Sequence, residues 1–116
     1  MKPKGIDVNW VEEFNGAITV CDVKGVIVYM NQYSIKQFEK YGGEKLLGSN
    51  LLDCHPEPSK TKLKRMLKDQ SENIYTSEKN GVKKMILQTP WMERGVFCGL
   101  VEISFQLETK MPNFKR

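Results

Sequence analysis

Apolar and polar positions change rhythm along this chain, and each change marks an element. In residues 17–30, AITVCDVKGVIVYM, two runs rich in Val, Ile, Thr, Tyr and Cys suit half-buried pleated strands. Between them, Asp22-Val23-Lys24-Gly25 has turn chemistry: an Asp that can accept backbone N–H bonds at the first position and a Gly that tolerates positive φ at the last. Asn31 closes the second strand and can cap a helix in which Ile35 and Phe38 fall three apart. The spacing predicts a helix over residues 32–41, stopped by Gly42-Gly43. Ahead of the hairpin, Val8, Trp10, Val11 and Phe14 recur as on a short amphipathic helix ended by Gly16.

Residues 43–58 are less regular. Leu46, Leu47, Leu51 and Leu52 are punctuated by Gly48, Pro56 and Pro58, which predicts short helical turns and a loop. Pro58 and Ser59 then suit the start of a helix, with Pro in the first turn and Ser as cap. Beyond Gln70 the period drops to two. A strand over residues 73–78, a turn at Lys79-Asn80-Gly81, a strand over 82–91, a turn at Glu93-Arg94-Gly95 and a last strand from Phe97 make a meander. In that last strand Gly99, Val101, Ile103 and Phe105 alternate with Cys98, Leu100, Glu102, Ser104 and Gln106, so one face is apolar and the other largely polar near its end. The pattern predicts an antiparallel sheet with one packed face and helices between an early hairpin and a late meander.

The chain has 116 residues, 40% apolar and 28% charged, which suits one folded domain with one core. Residues 1–7 and 108–116 are expected to be tails around a domain spanning residues 8–107. Neither a signal peptide nor a membrane span is visible, and three widely spaced cysteines, Cys21, Cys54 and Cys98, argue against a disulfide framework; the expectation is a cytoplasmic protein with reduced thiols. The net charge of +4 matters less than its placement. Lys60, Lys62, Lys64, Arg65 and Lys68 cluster opposite Leu63, Met66 and Leu67, the pattern of an amphipathic surface helix with a basic exposed side. No stacking aromatics, zinc finger or recognition-helix pair accompanies them, which argues against a nucleic-acid partner.

In this order the chain resembles the PAS sensory domain family over residues 8–107. The resemblance rests on Asp22, Gly25 and Asn31 of the hairpin, on Leu47-Gly48, and on the closing Gly99-Leu100-Val101-Glu102-Ile103. More narrowly, Asp53-Cys54-His55-Pro56 with Ser59 resembles a bacterial subgroup with a Cys-His-Pro element before its long helix. The resemblance implies an α+β fold: a five-stranded antiparallel sheet with helices packed on one face around a small-molecule pocket. It implies a stand-alone module that senses a small ligand or redox state and signals by homodimerisation or by docking to a signalling protein. Val8, Trp10 and Val11 would form the apolar stripe for that contact.

Candidate chemistry narrows accordingly. His55 is the single histidine of the chain, and the resemblance implies that it could hold heme as an axial ligand. In heme-binding members of that family, however, the ligand usually sits within the long helix, whereas His55 precedes Pro56 and Pro58, so the simpler expectation is a ring bonded to loop backbone. Light-sensing members of the family that the chain resembles place a reactive cysteine directly after a Gly-x-Asn element, whereas Gly48-Ser49-Asn50 is followed by Leu51, so flavin adduct chemistry lacks its nucleophile. Noncovalent flavin remains compatible. Cys54 and His55 are too few ligands for a structural zinc. No nucleophile–base pair or phosphate loop can be assembled, so an enzyme would have to use His55 as acid or base. The isolated acids Asp22, Asp53 and Glu102 read as turn, loop and strand-surface residues. A ligand pocket is expected between the helices and the late strands, near Phe38, Leu52, His55, Leu63, Met66, Leu87 and Ile103.

Overall fold

The computed structural model describes residues 8–116, apart from the side chain of Cys54; the expected tail 1–7 lies outside them. Strand β1 (Ala17–Asp22) and strand β2 (Ile27–Met30) form the early hairpin. Asp22 makes its turn: Oδ1 accepts from the N–H groups of Lys24 at 2.9 Å and Val26 at 3.0 Å, and Gly25 supplies a φ of 89°. Helix α1 (Gln32–Gln37) follows Asn31 directly, continued by short 3₁₀ turns at Glu39–Tyr41 and Gly43–Leu46 around Gly42, whose φ is 118°. Helix α2 (Leu51–Cys54) is a single turn, and helix α3 (Ser59–Asp69) is the long one. Strands β3 (Asn73–Lys79), β4 (Val82–Glu93) and β5 (Val96–Gln106) form the late meander, with Asn80 and Arg94 both at positive φ in the turns.

Long-range pairing joins the two halves. The five strands are ordered β2-β1-β5-β4-β3 and every pairing is antiparallel, so the first strand of the hairpin lies against the last strand of the meander, with Ile18 opposite Ile103 and Thr19 opposite Glu102. Gly99 makes that closeness possible. Its backbone, at φ 150°, presses against the carbonyl of Cys21, where a Cβ would have no room. The helices cover one face: Leu63 and Met66 of α3 pack with Cys21 and Leu100, and Leu51, Leu52, Leu67 and Phe97 ring them. Lys62, Lys64, Arg65 and Lys68 stay exposed on the far side of α3, as its amphipathic pattern predicts.

Asn31 does more than cap. Fully buried, it accepts from the N–H groups of Ser34 at 2.9 Å and Ile18 at 3.0 Å through Oδ1, and donates through Nδ2 to the carbonyls of Val11 at 2.9 Å and Gly16 at 3.0 Å. A second asparagine ties the hairpin turn to α2. Asn50 donates to the Lys24 carbonyl at 2.9 Å and caps α2 by accepting from Leu52 N–H at 2.8 Å.

Two local expectations are corrected. Residues 8–16 form turns, not a helix. Their hydrophobic spacing has another cause: the segment is a strap held by Asn31 at Val11 and by Glu12, which accepts from Tyr29 Oη at 2.6 Å, while Trp10 and Phe14 meet edge to face with ring centroids 5.6 Å apart. Ser59 is not the cap of α3 either. Pro58 occupies that position, and the carboxylate of Glu57 accepts from Thr61 N–H at 3.0 Å and Thr61 Oγ1 at 2.6 Å. Those bonds from Thr61 hold the Glu57 carboxyl below the ordinary carboxylate range.

Candidate functional site

Between the helices and the sheet lies a cavity of about 600 Å³. Its walls are mostly apolar. Ile27 and Met30 come from β2, Phe38, Tyr41 and Leu46 from the segment after α1, and Leu51 and Leu63 from α2 and α3. The floor is the helix-facing side of β1, β5 and β4, contributing Thr19, Cys21, Leu100, Glu102 and Gln88. A smaller cavity of about 300 Å³ adjoins it and shares His55, Leu63, Gln88 and Glu102, adding Asn73 and Tyr75 of β3.

Across the floor runs a polar row. Thr19 on β1 stands opposite Glu102 on β5, Glu102 opposite Gln88 on β4, and Gln88 opposite Asn73 on β3. Register creates hydrogen bonds along this line. Asn73 Nδ2 donates to Gln88 Oε1 at 3.0 Å, Gln88 Nε2 donates to Glu102 Oε2 at 3.2 Å, and Thr19 Oγ1 shares a hydrogen bond of 2.6 Å with Ser34 Oγ of α1. Glu102 is thus a half-buried carboxylate whose partner is a neutral amide. Its charge reaches its neighbours: the Tyr75 phenol is pushed up first by desolvation and then by Glu102.

The lining of these cavities coincides with the expected pocket in part. Phe38, His55 and Leu63 line the larger cavity, and Met66 lines the smaller one while packing in the core. Leu52 packs against the core cluster rather than forming cavity wall. Leu87 and Ile103 are a directly opposed pair on the other face of the sheet, because side chains alternate and Gln88 and Glu102 face the cavity. The more apolar side of β5 is therefore the outer side, and the side that meets the helices carries Leu100, Glu102 and Ser104. Period two tells which residues share a face but not which face the helices cover. Glu102 is accordingly a cavity residue and not the strand-surface residue expected. Thr19, Gln88 and Asn73 were missed with it; the available signal was polar residues breaking apolar runs at positions that pairing aligns.

His55 follows α2, and its Nδ1 lies 2.8 Å from the Leu51 carbonyl. A carbonyl only accepts, so Nδ1 carries a proton, and in the neutral ring Nε2 keeps a lone pair. The loop-organising reading holds, and the ring also lines the cavity. Among the described residues no group of three or more His, Cys, Asp or Glu side chains gathers as a metal site. Cys21, buried in the floor, has its thiol pushed up by desolvation first, which makes it a poor thiolate. Asp22 serves the turn and Asp53 is exposed. Val8 and Trp10 are 62% and 55% exposed, while Val11 is half-buried. No helix among the described residues is long and apolar enough to cross a membrane.

No protein-family model matches the chain, and no curated protein does. Solved structures do match. A sensory box sensor histidine kinase from Vibrio cholerae superposes with a TM-score of 0.65 at 19% identity, over 86% of this chain and 87% of that one. The PAS domain of an HTR-like protein from Haloarcula marismortui gives 0.60 at 15% identity, over 84% and 86%. The Aer2 receptor from Vibrio cholerae, described as a dual PAS-heme oxygen sensor, gives 0.60 at 11% identity, over 80% and 95%. At these identities the likeness establishes the fold.

Proposed function

Since the chain has the PAS fold, we propose that it is a small-ligand sensing module of intracellular signal transduction, which passes a conformational change to a second copy or to a signalling partner. One observation carries this reading: a cavity of about 600 Å³ whose apolar walls surround a few convergent polar groups, Thr19, His55, Gln88 and Glu102. A close-packed domain does not keep such a space for stability, since unfilled volume forfeits packing contacts. Ligand sensing is favoured over redox sensing because Cys21, the thiol among the described residues lining the cavity, is desolvated and held protonated.

Signalling follows from population shift. A ligand that prefers one arrangement of the sheet and the 8–16 strap over another shifts the balance between them. The strap is suited to transmit this, for it is tied through Asn31 to both β1 and α1 and presents Val8 and Trp10 outward. Native mass spectrometry with an absorption spectrum of the protein as purified tests the reading. The expected result is the chain plus a small organic molecule; a Soret band would instead assign heme, with His55 Nε2 as the available ligand atom. A bare chain mass, with a melting temperature unmoved by every member of a fragment library, would overturn it.

A further inference from the structure

The polar groups of the cavity differ in what they offer. Gln88 is held by its neighbours, accepting one bond from Asn73 and donating one to Glu102. Thr19 shares a hydrogen bond with Ser34. Two strong acceptors, His55 and Glu102, keep capacity toward the cavity. His55 uses Nδ1–H on the Leu51 carbonyl, which in the neutral ring leaves Nε2 with a lone pair. Glu102 has Oε2 engaged by one neutral amide, and a carboxylate of two oxygens can accept several bonds. Among the described residues lining the larger cavity, Glu102 is the one carboxylate and there is no Lys or Arg. Lys62 lines the smaller cavity, but it is exposed on α3, where water solvates it. A half-buried carboxylate with a single neutral amide partner has acceptor capacity to spare, and a donor, best of all a cation, completes it.

We infer that the cavity binds an amphipathic nitrogen compound, with an apolar body against Phe38, Leu63 and Leu100 and a protonated amine or N–H donor seated on Glu102 and His55. This rests on the ligand-sensing reading and adds the ligand's class. The same charge disfavours an anionic ligand: a carboxylate or phosphate there would face Glu102 with no cation among the described residues lining the cavity to offset it. Gln88 then acts as a positioning residue. Through its bonds to Asn73 and Glu102 it holds the carboxylate against the floor rather than letting it swing toward solvent.

Three probes with one apolar body separate the possibilities: phenylbutylamine, phenylbutanol and phenylbutyrate, titrated into the full chain by calorimetry and by ligand-observed NMR. The amine should bind tighter than the alcohol, and at least about tenfold tighter than the carboxylate. Glu102→Gln should shrink the amine-to-carboxylate ratio to within about threefold, with the alcohol little changed. Should Glu102→Gln not fold, the ranking in the wild-type chain decides alone. Equal binding of amine and carboxylate, or a preference for the carboxylate, would overturn the assignment of class while leaving the ligand pocket standing. Binding of none of the three at millimolar concentration would overturn the pocket reading itself, and this inference with it.

Discussion

The side-chain amide of Gln88 donates to the carboxylate of Glu102 at 3.2 Å across adjacent strands, on the face of the sheet that the helices cover. Two polar residues thus occupy a floor where alternation alone suggested the apolar set of Leu87 and Ile103. Their pairing predicts an asymmetry. Gln88→Leu leaves Glu102 half-buried without its donor and should destabilise by about 1 to 3 kcal/mol. Gln88→Leu with Glu102→Leu removes both polar groups and should come close to wild-type stability or exceed it. Urea unfolding of the two variants checks this, and a double variant weaker than the single one would show that the pair is held for stability.

Asn31 joins the strap, β1 and α1 through its four hydrogen bonds to Val11, Gly16, Ile18 and Ser34. Asn31→Ala would orphan buried backbone groups in all three, a loss of roughly 3 kcal/mol or more. Asn31→Asp keeps the two accepted bonds and sets a carboxylate oxygen against two carbonyls, so it should rescue little. Thermal melts of both variants are the measurement; an aspartate variant as stable as wild type would reduce Asn31 to an ordinary helix cap.

Gly99 sits where the backbone of β5 meets the Cys21 carbonyl. Gly99→Ala must push β1 and β5 apart in the middle of the sheet, and should cost roughly 3 kcal/mol or more. Gly95→Ala has open space around its position and carries only the strain of a φ of 79°. The destabilisation at 99 should therefore exceed that at 95 in chemical denaturation.

Tyr29 donates to Glu12 at 2.6 Å, and desolvation together with that carboxylate pushes its phenol up from 10.0 to about 12. Its folded value lies above its unfolded value, so the stabilisation is fully present below about pH 10 and is lost as pH rises toward about 12. Urea midpoints measured through that window should fall, and Tyr29→Phe should remove that component of the fall. An unchanged slope in the phenylalanine variant would place the alkaline sensitivity elsewhere.

Docking through the strap predicts that Val8→Ser with Trp10→Ser weakens self-association on the order of tenfold, since an exposed Trp is the kind of residue that dominates an interface. Sedimentation velocity of the full chain reads this directly. A monomeric wild type, or a dimer unaffected by the pair, would move the signalling contact away from residues 8–10.

What the sequence determined by itself is local. Asp22 and Gly25 announced their turn, Asn31 its cap, and the spacing of Leu63 and Met66 the buried side of α3, because each depends on neighbours within a few residues. The strand order of the meander was legible for the same reason. Tertiary structure alone decided the rest. Residues 8–16 have the spacing of a helix, but buried Asn31 uses their backbone carbonyls as partners, and a bond across 20 residues overrides a weak local preference. The pairing of β1 with β5 brought Thr19 beside Glu102, and the side taken by the helices turned Glu102 from surface into cavity floor. Alternation is a relative pattern, identical for either face; only packing chooses between them, and here it chose the face with the polar row.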